Sequence, residues 1–201
     1  MGLYVHYYGR MKDKRHVPQF IEEMSGIAAT LKWNHKVWRE DWAKPCDARI
    51  EKVDGKPQMV GHLPVKGVTI QPSLVCEPMQ FLIDPKGQLR SIRSLLAETR
   101  GEKQNPFVSV NLKGITSEVY VLLMGSLLYV QKHFVPDLIV KDEGGYWQTK
   151  DRSALVEGVK ESNVKDGIGD EKIEKAPPSW HNLSGEQVMF KLETIFHRAC
   201  G

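Results

Sequence analysis

The chain is 201 residues long, with 28 Lys and Arg against 25 Asp and Glu, 41% hydrophobic residues and three cysteines. That length suits a single domain, residues 1–201, with a core large enough to fold without disulfides or a structural metal. The composition excludes a collagen-like or wholly disordered chain. A formal net charge of +3 falls short of the excess expected of a dedicated nucleic-acid binder. The charge is unevenly spread: residues 1–113 carry a net +6 and residues 114–201 a net −3. Such a division orients a charged partner or simply keeps the surface solvated.

Cys46, Cys76 and Cys200 form no CxxC pair, which argues against a disulfide framework or a zinc ribbon and fits a reducing compartment. The start lacks a basic stretch followed by a long apolar run, so no leader is expected. The longest apolar run, Val119 to Val130, reads as a buried core helix and is too short for a membrane span. The expected setting is the cytoplasm, away from any membrane.

Leu3 to Tyr8 reads as a short aromatic strand closed by Gly9. From Val17, the apolar spacing of Phe20, Met24, Ile27, Ala28 and Leu31 predicts a helix with Pro18 in its first turn. His35–Trp38 is the next strand, and strand, helix and strand suggest a βαβ unit. Residues 39–64 read as irregular, with Pro45, Asp54-Gly55, Pro57 and Pro64. Val65–Ile70 alternates like a half-buried strand, Phe81–Ile83 and Leu89 form a hairpin around Asp84-Pro-Lys-Gly87, and Ile92–Ala97 reads as a short helix.

Phe107–Leu112 reads as a strand, and Thr116 or Ser117 caps a helix running to about His133 that is apolar on most sides. Leu138–Val140 is then a strand, with Glu143-Gly-Gly145 turning into Tyr146–Thr149, a second βαβ-like unit ending in a hairpin. Residues 157–178 read as a long polar loop. Ser184-Gly-Glu-Gln187 is a capping box that opens a final helix. The expected fold is α/β: one domain with a mixed β-sheet, two βαβ-like units and packed helices.

No phosphate-loop, nucleophile-elbow or HExxH pattern is present. Pro136-Asp137 and Asp170-Glu-Lys172 make a poor nuclease pair, because the second element lies in a Gly- and Lys-rich stretch instead of a strand. The richest cluster is Asp142-Glu143-Gly-Gly-Tyr146-Trp147, which reads either as a ligand surface or as a turn in water with its aromatics packed beneath. Glu77 precedes the hairpin and Glu118 lies in the first turn of the central helix. If Glu77, Glu118 and Asp142 or Glu143 converge, they suit a hard cation. At the end of the first strand, His6, Arg10, Lys12, Lys14 and Arg15 either meet phosphate or form a solvated loop. Trp33, Trp38 and Trp42 read as core or as a stacking platform.

The segment from Val65 through Cys76-Glu-Pro78 to Leu89 resembles part of a set of small, mostly bacterial α/β proteins to which no activity is assigned. The helix from Glu118 to Phe134 with Asp142-Glu-Gly-Gly-Tyr-Trp147 behind it resembles the same set, and the two segments cover about half of the chain. The resemblance draws attention to Glu77, Glu118 and Asp142 to Trp147. Where those proteins carry His in the central helix, this chain has Tyr120, which weakens any shared catalytic role.

These readings lead to a binding or protein-interaction module, an accessory subunit or an inhibitor. The alternative is a small metal-dependent hydrolase or nuclease using clustered carboxylates. The candidate ligand- or partner-binding residues are Glu77, Glu118, Asp142, Glu143, Tyr146, Trp147, His6 and Arg10. No catalytic residue, metal ligand or cofactor is assigned. The expected partner is a protein, with nucleic acid a weaker candidate through Arg10–Arg15 and the Lys86–Lys103 segment.

Overall fold

The computed structural model describes residues 3–103 and 105–197. In chain order it contains β1 (Tyr4–Tyr8), α1 (Val17–Thr30), β2 (Asn34–Arg39), β3 (Arg49–Val53), β4 (Lys56–Val60), β5 (Lys66–Gln71), β6 (Met79–Ile83) and β7 (Leu89–Arg90). There follow α2 (Ile92–Glu98), β8 (Val108–Asn111), α3 (Ser117–His133), β9 (Ile139–Asp142), α4 (Tyr146–Thr149), α5 (Arg152–Lys165) and α6 (Gly185–His197). Helices and strands combine in one α/β fold, and every strand pair is antiparallel.

The first sheet has the order β8-β1-β9 and the second β2-β5-β6-β7, while among the described residues β3 and β4 pair only with each other. Because β8 and β9 flank β1 and both oppose it, they run parallel to one another. With α3 between them they make a split βαβ unit, β1 filling the gap. The opening strand, helix and strand do not form the expected βαβ unit, since β2 lies in the second sheet. The reason is that β8 and β9 occupy both hydrogen-bonding edges of β1, and β2 pairs with β5 instead.

Helix α3 is the centre of the core. Val119, Leu123, Leu127 and Val130 are buried, and so are Tyr120, Leu122, Met124 and Tyr129 on its other sides. Thr116 caps it, its side chain accepting from the Val119 amide. Helix α6 packs closely against it at Gly125, where a Cβ would come within 2.4 Å of Val188 Cγ1. The expected capping box of α6 forms in both directions: the Ser184 amide donates to Gln187 Oε1 at 2.7 Å, and the Gln187 amide donates to Ser184 Oγ at 3.2 Å.

Three expectations about local structure are corrected. Residues 39–64 contain the β3–β4 hairpin, whose turn residues Asp54 and Gly55 have φ of 50° and 75°. Two successive positive φ values make the tight turn that Asp-Gly favours, because its twist matches that of the strands. The polar segment 157–178 is helical up to Lys165. Asp151 caps α5 through the Ser153 and Ala154 amides, and Leu155, Val159, Ser162 and Asn163 form a narrow buried stripe on it. Tyr146–Thr149 is a helical turn and not a hairpin strand, because the side chain of Asp142 captures the Trp147 amide at 2.7 Å. Among the described residues no helix is long and apolar enough to cross a membrane.

Candidate functional site

Strand β1 alternates: Val5 and Tyr7 point into the core, while Tyr4, His6 and Tyr8 point outward and are half-buried. Register places Ser109 of β8 on one side of His6 and Lys141 of β9 on the other. Glu143, just past the end of β9, donates from its amide to the Tyr4 carbonyl at 3.0 Å and reaches diagonally toward the same imidazole. His6 Nδ1 lies 2.8 Å from Ser109 Oγ, and Nε2 lies 3.7 Å from Glu143 Oε1. A carboxylate only accepts, so it favours the tautomer with the proton on Nε2, leaving Nδ1 to accept from the Ser109 hydroxyl. Tyr4 stacks on His6 with ring centroids 6.0 Å apart, Tyr8 lies 5.9 Å from Phe107, and Lys141 Nζ sits 4.7 Å from the Phe107 ring centre.

Beside this row, a cleft of about 330 Å³ is lined by Glu77, Gln80, Arg93, Asn105, Phe107 and Ser109 among others. The Asn111 amide points away from β1 and donates to Glu77 Oε2 at 2.9 Å, and the Glu77 amide returns a bond to the Asn111 carbonyl at 3.1 Å. Residues two apart in a strand direct their backbone groups the same way, so the Ser109 amide also points away from β1, toward this cleft.

The remaining sequence candidates are dispersed. Asp142 is buried and structural: Oδ1 accepts from the Tyr120 hydroxyl and from the Gly144 amide at 2.8 Å, and Oδ2 accepts from the Trp147 amide. Burial first, and then the charge of Asp142, push the Tyr120 phenol well above its ordinary range, so it keeps its proton and donates. Tyr146 is buried too, its hydroxyl accepting from the Gly185 amide at 2.9 Å and so tying α4 to the start of α6. Trp147 is half-buried beneath Lys150, whose Nζ lies 4.9 Å from the ring centre. Arg10 lies beyond the end of β1, where its amide donates to Asp137 at 2.9 Å and its side chain is exposed.

Glu118 lines a different cavity of about 610 Å³, between the start of α3 and α5. It is paired there with Arg152 at 2.8 Å. Burial alone raises its pKa, but hydrogen bonds from its own amide, from Thr116 and from Arg152 outweigh that and hold it below the usual carboxylate value. Among the described residues no group of three or more His, Cys, Asp or Glu is placed to hold a metal ion. The carboxylates of Glu77, Glu118 and Asp142 are instead spent on an amide, a guanidinium and a local cap. Cys76 next to Glu77 is buried, and that burial, then the neighbouring charge, pushes its thiol up to about 12. It is no nucleophile at neutral pH.

The site therefore joins His6, Glu143 and, across the cleft, Glu77 from the sequence candidates, and adds Ser109, Phe107 and Lys141. The alternation of Phe107-Val-Ser-Val-Asn111 shows that Ser109 and Phe107 share a face, but nothing local shows that this strand lies beside β1. Comparison with family models, with curated proteins and with solved structures gives no match.

Proposed function

We propose that the chain is a binding module of the cytoplasm that engages a protein partner through the outer face of the β8-β1-β9 sheet, as an accessory subunit or inhibitor. The observation that supports this reading is the outward row of Tyr4, His6, Tyr8 and Phe107, half-exposed, with Lys141 and Glu143 at its rim. Aromatic rings with polar tips, edged by charges of both signs, have the composition of an interface centre and its rim. The free thiols of Cys46 and Cys76 suit a reducing compartment.

A photo-crosslinking residue placed at Ile139, 52% exposed on the same face, tests this in extract of the native cell. A discrete crosslinked species is expected, and it disappears in a His6→Ala, Tyr8→Ala double variant. A species that forms from Ile50 on the β3–β4 hairpin but not from Ile139 overturns the reading.

A second reading, ester hydrolysis, rests on the contact between Ser109 and His6. Ser109 Oγ would attack the ester carbonyl carbon, passing its proton to His6 Nδ1. The imidazolium beside Glu143 would return that proton to the departing alkoxide, and the Ser109 amide would donate to the oxyanion. Water, activated in the same way, would then release the acid and restore the serine. Labelling by a fluorophosphonate at Ser109, lost in His6→Ala, is the expected result; an unlabelled Ser109 sinks this chemistry.

A further inference from the structure

A second cleft, independent of the sheet face, gathers cations from three separate parts of the chain. About 280 Å³ in volume, it is lined by Lys14, Arg15, Arg39, Lys66, Trp42 and the first turn of α1 at Val17 and Pro18. Lys66 Nζ lies 4.5 Å and Lys14 Nζ 5.9 Å from the centre of the Trp42 ring. Lys14 Nζ also donates to the Pro85 carbonyl at 2.9 Å, which holds it beside the cleft.

The juxtaposition of Arg39 and Lys66 is unusual for a folded sheet. They are direct cross-strand partners in the β2–β5 ladder, so their side chains leave the same face side by side. Like charges directly opposite each other destabilise a sheet. Among the described residues no ion pair engages Lys14, Arg39 or Lys66, and Arg15 is paired only with the half-buried Asp13.

Helix α1 opens onto the cleft with no side-chain cap at His16 and no acidic residue in its first turn, and it follows directly on the short turn Lys14–His16, in which the Arg15 amide is capped by Asp13. The Trp42 Nε1–H is buried and has no acceptor among the described residues.

We infer that this cleft binds the multiply charged phosphate of a small molecule, a phosphate monoester or diphosphate, held by Arg39, Lys66, Lys14 and Arg15. The group that offsets the Arg39–Lys66 repulsion must carry more than one negative charge and several acceptor oxygens, which a terminal phosphate does. At about 280 Å³ the cleft lies at the lower bound of small-molecule sites, roughly 300–1,000 Å³. It therefore suits a compact anion. Lysines cover the Trp42 ring, so no base stacks there, and a nucleotide is recognised by its phosphates alone.

The full chain is titrated calorimetrically with inorganic pyrophosphate, with ADP and with a single-stranded oligonucleotide. Pyrophosphate and ADP are expected to bind saturably with similar affinity. An Arg39→Gln, Lys66→Gln double variant is expected to weaken both by about tenfold per cation removed. Its melting temperature without ligand equals or exceeds the parent's, because the like-charge pair is gone, so the loss of binding is not a loss of folding. A Lys52→Gln, Lys56→Gln variant on the β3–β4 hairpin makes the same change in net charge and retains pyrophosphate binding. Absence of pyrophosphate binding, equal weakening by the hairpin variant, or binding of the oligonucleotide alone overturns the inference; the last result assigns the cleft to a nucleic-acid backbone.

Discussion

Replacing Asp142 by Asn asks whether the richest sequence cluster is a binding surface or a structural knot. The carboxylate holds three donors: the Tyr120 hydroxyl and the Gly144 amide on Oδ1, and the Trp147 amide on Oδ2 at 2.7 Å. Asparagine offers one acceptor oxygen. If that oxygen stays where Oδ1 was, its NH₂ group faces the Trp147 N–H, donor against donor. Losing one charge-assisted bond costs about 1.5–3 kcal/mol, and the two surviving bonds weaken as they become neutral. A total of about 3 kcal/mol is a large share of the 5–15 kcal/mol, roughly, that stabilises a domain. At this chain length it lowers the melting temperature by about 6–12 °C. Thermal unfolding followed by circular dichroism measures the shift. Tyr120→Phe removes one of the same bonds, so the double variant falls short of the sum of the two singles. An Asp142→Asn protein that melts within about 2 °C of the parent refutes the structural assignment.

Gly125→Ala and Gly158→Ala should move stability in opposite directions. The first drives a methyl group into Val188 and costs about 1–3 kcal/mol. The second meets nothing within 4 Å inside α5 and adds about 0.5–1 kcal/mol of helix propensity; urea titration of both reads the two signs. Glu193 joins α6 to α3 through Lys132 at 2.8 Å and His133 at 2.7 Å. Its carboxyl is held below the ordinary 4.5, by Lys132 first and with help from His133, although burial opposes this. A depressed acid stabilises the fold above its unfolded pKa and loses that contribution as pH falls through the folded value. Glu193→Gln is therefore less stable than the parent at pH 7, by a margin that shrinks below pH 4.5. A margin that stays constant from pH 7 down to about 3 contradicts the linkage.

Local chemistry made much of this fold legible. The 3.6-residue spacing of α1 and α3, the Thr116 cap, the Ser184–Gln187 capping box and the turn after Ile83 all act within a few residues, so each is readable from the chain alone. The β3–β4 hairpin was equally readable from Asp54-Gly55, but the prolines around it argued for irregular structure. Pro57 is tolerated because, among the described residues, β4 pairs only with β3, so the missing N–H disrupts no second ladder. Helix α5 was obscured by its polarity, since one narrow stripe of Leu155, Val159, Ser162 and Asn163 is all that it buries.

The functional residues divide along the same line. That His6 faces outward and Asp142 lies near a turn follows from alternation and from glycine, both local properties. Whether an acid binds a ligand or a backbone amide depends on what lies within about 3 Å, and that is decided by pairing between distant segments. Ser109 meets His6 across 103 residues, Lys66 meets Arg39 across a ladder, and Asp142 finds Tyr120 on another element. Composition, helix periods and caps were thus set by the amino-acid order itself. The His6–Ser109–Glu143 row and the cationic cleft around Trp42 exist only once strand order and register bring those side chains together.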